Sequence, residues 1–110
     1  DGREVFTFAV RTVPQVIMEV LQNTGTDIND VTMFILHQAN RRIIEAIAKK
    51  LKVDITRFPM NLSEYGNTSA ASIPILLDEL KKNGRIKAGD KTIISGFGAG
   101  LSWGAILVEW

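Results

Sequence analysis

Between Val5 and Gln22, apolar residues fall at positions 5, 6, 9, 10, 13, 16, 17, 20 and 21, the spacing of a helix with one buried face. Pro14 interrupts the pattern, and Thr12-Val13-Pro14-Gln15 reads as a capping box with Thr12 as N-cap and Gln15 three residues on. The pattern therefore predicts a kink or two abutting helices, ending near Asn23 to Gly25. Asp27-Ile28-Asn29-Asp30 is a polar connector. Val31-Thr32-Met33-Phe34-Ile35-Leu36 is β-branched and aromatic, of strand length and apolar on both faces, which predicts a buried strand.

A second helix is predicted from about Arg41 to Leu51, with Asn40 as N-cap. Its apolar positions 43, 44, 47 and 51 form one stripe, and Arg41, Arg42, Glu45, Lys49 and Lys50 fall largely outside it. Phe58 to Leu62 reads as a short strand, followed by a loop at Ser63-Glu64-Tyr65-Gly66. Asn67-Thr68-Ser69 leads into a third helix from about Ala70 to Lys82, closed by Asn83-Gly84. Pro74 lies near its first turn, where proline does least harm. Lys91 to Ser95 is a strand, Gly96-Phe97-Gly98-Ala99-Gly100 a glycine loop, and Leu101 to Glu109 a last strand. Helices and strands alternate and the chain ends in two strands. That order predicts an α/β fold: a mixed sheet with helices packed on it, ending in an antiparallel hairpin.

Composition narrows the field. The 110 residues fit one domain, and 45% hydrophobic with 23% charged residues is ordinary for a globular chain. The longest apolar runs fall far short of the ~20 residues that span a bilayer, so no membrane role is expected. Thirteen Lys+Arg against 12 Asp+Glu give a net charge of +1, which argues against a nucleic-acid partner held by overall charge. There is no cysteine, hence no disulfide, no thiolate metal site and no cysteine nucleophile. The chain opens at Asp1-Gly2-Arg3-Glu4 without a secretory leader, and the expected location is cytoplasmic.

His37, the sole histidine, directly follows a predicted buried strand, where open α/β sheets gather ligands. Its imidazole is placed either to donate a hydrogen bond or move a proton, or merely to bond local backbone. Asn67 stands at a loop-to-helix junction, as an amide donor to a substrate oxygen or as a simple cap. The glycine segment 96–100 is not a dinucleotide fingerprint, since a strand rather than a helix follows it. It is either a hairpin turn or a place where backbone N–H groups approach a carbonyl oxygen. Arg41, Arg42, Lys49 and Lys50 make a basic face beside His37, either solvated or a dock for an acidic partner or phosphate.

Three blocks taken together resemble the C-terminal half of β-ketoacyl-acyl-carrier-protein synthase III, a condensing enzyme of thiolase-like fold. They are His37-Gln38-Ala39-Asn40, Gly66-Asn67-Thr68-Ser69-Ala70-Ala71-Ser72, and the glycine loop ending in Ser102-Trp103-Gly104. The resemblance implies a Cys-His-Asn site for decarboxylative Claisen condensation, with His37 and Asn67 hydrogen-bonding the malonyl thioester oxygen as it gains enolate charge. It implies that Gln38, Ala39, Asn40, Arg41 and Arg42 bind acyl-carrier protein, with Lys49 and Lys50 extending that surface. Phe97 would line the acyl pocket, and the Gly98-Ala99 backbone the oxyanion site. Ala99 stands where close relatives carry glycine.

Acyl-CoA and phosphopantetheine thioesters are the implied substrates, with no permanently bound cofactor. The implied cysteine belongs to an N-terminal half that this chain does not contain, so the chain alone is expected to be inactive. The full-length enzyme is expected to be a homodimer, and this half to expose an apolar face where the other half packs. The alternatives are a related starter synthase of polyketide or alkylquinolone type, a carrier-protein-binding module without catalysis, and a structural α/β domain in which His37 and Asn67 are caps.

Overall fold

In the computed structural model, which describes residues 2–36, 41–60, 72–98 and 102–110, helix α1 runs unbroken from Gly2 to Thr24. Of the two outcomes expected at Pro14, a kink or two abutting helices, the second is not formed: Pro14 lies inside one helix, and Thr12 is an interior residue and not a cap. The reason is burial on both sides of the proline. Ala9, Val13, Ile17 and Leu21 repeat every four residues, are at most 3% exposed, and form one stripe in the main core. Packing along that stripe outweighs the missing N–H of Pro14. The helix closes at Gly25, whose φ of +64° suits glycine, with Thr26 N–H donating to the Leu21 carbonyl at 2.9 Å and Gly25 N–H to that of Gln22 at 3.2 Å.

Asp27 caps a short 3-10 turn over Ile28–Asp30 by accepting from the Asn29 N–H at 2.8 Å. Strand β1 (Met33–Leu36) follows and is buried on both faces, as its apolar run demands. Phe34 and Leu36 join the core under α1, whereas Ile35 belongs to a second core on the opposite face. Helix α2 (Arg41–Leu51) buries Ile43, Ile44, Ile47 and Ala48. It ends on Lys52, which holds a left-handed φ of 59°, while Val53 N–H donates to the Ala48 carbonyl at 3.0 Å.

The strand expected over Phe58–Leu62 is not formed at residues 58–60, and 61 and 62 lie outside the described residues. Asp54 caps a second 3-10 turn, Ile55–Arg57, and the Phe58 N–H closes that turn on the Ile55 carbonyl at 3.0 Å. The backbone there is committed to a turn, and the Phe58 ring enters the main core. Helix α3 (Ser72–Lys82) sends Leu76 and Leu80 against Ile35 and Ile86, the second core. Positions 70 and 71 of the expected helix lie outside the described residues.

Strands β2 (Lys91–Gly98) and β3 (Ser102–Glu109) complete a sheet of order β1-β2-β3. β1 and β2 are parallel, with Phe34 opposite Ile93 and Leu36 opposite Ser95. β2 and β3 form the expected antiparallel hairpin. The glycine segment is corrected in part: Gly96, Phe97 and Gly98 continue β2 and pair with Gly104, Trp103 and Ser102. Extended backbone is open to glycine as to any residue, and the ladder recruits these three. Helices thus pack on both faces of a mixed sheet, α1 and α2 on one and α3 on the other. On the α3 side of β3, Ile106 remains 59% exposed.

Candidate functional site

Because β1 and β2 are parallel and Leu36 sits opposite Ser95, their carboxyl ends lie at one end of the sheet. β2 extends past that level to Gly98, and β3 starts there at Ser102. α2 begins at Arg41, five residues after Leu36 in the chain. The fold therefore brings the ends of β1 and β2 and the start of β3 to the sheet end at which ligands collect in open α/β proteins, with the start of α2 close in sequence. Ser95 helps hold this end. Its hydroxyl is fully buried and donates to the Gly104 carbonyl across the hairpin at 3.0 Å.

His37, Gln38, Ala39, Asn40, Asn67 and Ala99 lie outside the described residues. Arg41 and Arg42 form the first turn of α2, and Lys49 and Lys50 its last. All four are exposed, as is Glu45 between them, so the helix shows solvent a mainly cationic face. Phe97 and Gly98 are the last two residues of β2.

Two contributors escaped the sequence reading. The guanidinium of Arg42 lies 5.6 Å from the centroid of the Phe6 ring, a cation–π contact that fixes the start of α2 against α1. Phe6 read only as one more apolar position of the α1 stripe. Met18 falls outside the apolar stripe of that helix; it is 49% exposed and lines a groove together with Lys50. Among the described residues, no group of three or more His, Cys, Asp or Glu could hold a metal ion, and no helix is long and apolar enough to cross a membrane.

Residues 21–110 match the family described as 3-oxoacyl-acyl-carrier-protein (ACP) synthase III C terminal. The chain belongs to that family. Beta-ketoacyl-acyl-carrier-protein synthase III of Pyropia yezoensis is 54% identical over the whole chain, which covers 34% of that relative. The Gloeobacter violaceus protein of the same name is 48% identical over the whole chain, covering 33% of its length. Among solved structures, the 3-oxoacyl-acyl-carrier-protein synthase III of Aquifex aeolicus superposes with a TM-score of 0.96 at 46% identity, over all of this chain and 36% of that one. The Thermus thermophilus synthase III gives 0.95 at 44% identity, over all of this chain and 34% of that one. The chain thus spans about a third of the length of the synthase III proteins it matches, and its fold is the thiolase-like fold of that family.

Proposed function

We propose that this chain is the C-terminal part of a 3-oxoacyl-acyl-carrier-protein synthase III that condenses an acyl-CoA, acetyl-CoA in the first place, with malonyl-acyl-carrier protein to begin fatty acid synthesis. The reading is carried by the family match over residues 21–110, a span that includes His37, Asn67, the basic face of α2 and the glycine segment. The bond between the malonyl α-carbon and its carboxylate breaks, carbon dioxide leaves, and the electron pair passes into a thioester enolate. A neutral His37 and the Asn67 amide donate hydrogen bonds to the enolate oxygen; fixed donors of this kind are typically worth about 3–4 kcal/mol each. The carbanion then attacks an acyl group held as a cysteine thioester, a carbon–carbon bond forms, and the thiolate leaves.

That cysteine is supplied by the part of the relatives' length that this chain does not span, so the chain alone is inactive. Gln38, Ala39, Asn40, Arg41 and Arg42 bind the acidic carrier protein, and Lys49 and Lys50 extend the contact. Phe97, Gly98 and Ala99 border the acyl pocket and oxyanion site. Substrates arrive as coenzyme A and phosphopantetheine thioesters without a resident cofactor, and the full-length enzyme acts as a cytoplasmic homodimer.

A hybrid tests the reading. The last third of the Pyropia yezoensis synthase is replaced by this chain and assayed with acetyl-CoA and malonyl-acyl-carrier protein. The hybrid is expected to form β-ketoacyl product, and His37→Ala or Asn67→Ala to lower decarboxylation about 10²–10³-fold. A folded hybrid without activity, or undiminished decarboxylation in His37→Ala, overturns it.

A further inference from the structure

Helices α1 and α2 lie side by side and run the same way. Arg42 meets Phe6 near their starts, and Lys50 and Leu51 line one hollow with Pro14 and Met18 farther along. Beside their second halves is an open groove of about 560 Å³, with Pro14, Met18 and Leu51 as its apolar wall and Lys50 and Glu19 among its polar residues. Past Met18 and Gln22 a second hollow of about 390 Å³ reaches Leu21 and Ile28. Met18 is common to both hollows. Singly exposed apolar residues are ordinary on protein surfaces. Met18 differs because it is a flexible thioether, suited to adaptable contacts, and with Gln22 it lines both hollows of one mixed apolar and polar trough. One bank of that trough carries Lys50, the last cation of the basic face of α2.

We infer that this groove receives an apolar side chain from the acidic helix of the carrier protein, beside the carboxylates drawn to Arg41, Arg42, Lys49 and Lys50. The inference rests on the docking role proposed above and adds a second, non-electrostatic component to it. Charge decides the occupant and its orientation. On the exposed face of α2, four cations stand against Glu45 alone, which favours an acidic partner. Glu19 lies on the α1 side of the groove, so the partner's carboxylates belong over α2 and its apolar residue over Met18. Residues three or four apart on a helix are about 5–6 Å from each other, a spacing that lets one helix serve both Lys50 and Met18.

The test is the affinity of holo-acyl-carrier protein for the full chain across a series of sodium chloride concentrations. Met18→Gln keeps the length and helix propensity of the side chain and is expected to weaken binding roughly five- to tenfold with unchanged salt dependence. Met18→Leu is expected to bind as the parent does. Arg42→Glu is expected to weaken binding and to flatten the salt dependence. Parental affinity in Met18→Gln alongside a weakened Arg42→Glu overturns the groove and leaves the docking role standing. Unchanged binding in Arg42→Glu, or no binding by the parent chain, overturns the docking role and the groove with it.

Discussion

The rings of Phe34 and Phe58 stack 4.8 Å apart and 12° from parallel, joining β1 to the turn that follows α2. Arg57 caps the stack, its guanidinium 5.2 Å from the Phe34 centroid and donating to the Val31 and Ile28 carbonyls. Both rings are at most 2% exposed. Truncating Phe58 to alanine leaves a cavity against Phe34 and is expected to cost about 3 kcal/mol of unfolding free energy. Urea denaturation of the two chains measures it; a loss below about 1 kcal/mol would mean that the stack is not part of the stable core.

At Lys52 the backbone occupies the left-handed region, at φ 59°, to finish α2. A side chain there crowds the following carbonyl, and glycine does not. Lys52→Gly is expected to stabilise the chain by roughly 0.5–1 kcal/mol, despite the greater freedom glycine has when unfolded. A higher urea midpoint with an unchanged slope is the outcome that supports this, and a lower midpoint rejects it.

The Asp54 carboxylate accepts from the Thr56 hydroxyl at 2.7 Å and from the Thr56 N–H at 2.9 Å. These two bonds, the hydroxyl's first, hold its carboxyl below the ordinary value of 3.8. A depressed folded-state value means the contribution is fully present above 3.8 and is lost as pH falls through the folded value. Asp54→Ala is therefore expected to be less stable than the parent at neutral pH, with the gap closing in acid. Thermal unfolding of both chains from neutral pH to below 3.8 reads this out, and a gap constant across that range contradicts it.

Trp110 anchors the end of the chain to β2, its indole N–H donating to the fully buried Thr92 hydroxyl at 2.9 Å. The Lys81 ammonium lies 5.2 Å from the centroid of the Trp110 ring and brings α3 to the same point. Trp110→Phe keeps an aromatic ring but strands the Thr92 hydroxyl, with an expected cost of about 1–2 kcal/mol. Adding Thr92→Val to Trp110→Phe should recover part of that loss. Independent, additive effects in the double-mutant cycle would show that the hydrogen bond carries no coupling.

Strong local patterns in the sequence survived into the structure. Ile43, Ile44 and Ile47 on one face of α2, and Phe34, Ile35 and Leu36 of the run Val31–Leu36, are buried as their spacing requires. The capping box at Thr12 misled because the local penalty of Pro14 is real, but a stripe of buried residues on both sides holds one helix through it. Phe58 misled for the opposite reason: an apolar aromatic suits a strand, and the side-chain cap at Asp54 that curls the backbone is a signal two atoms wide. Gly96 and Gly98 looked like a loop because glycine has no strand propensity of its own, and their pairing with Gly104 and Ser102 is set from the partner strand. At the candidate site, the basic face of α2 was legible from residue types alone. The Phe6 contact beneath Arg42 was not, since it depends on how two helices lie together.

The sheet joins its strands across very different stretches of chain. β2 and β3 follow one another closely in the chain, whereas Met33 pairs with Thr92 across a stretch that includes α2 and α3. Closing that long loop carries an entropic cost before any ladder contact returns it, and non-local pairing of this kind slows folding. The C-terminal hairpin is therefore expected to form first, with the carboxyl end of β1, from which His37 follows, set in place when the long closure succeeds. Pulsed hydrogen exchange that protects β2 and β3 before β1 supports this order, and simultaneous protection rejects it.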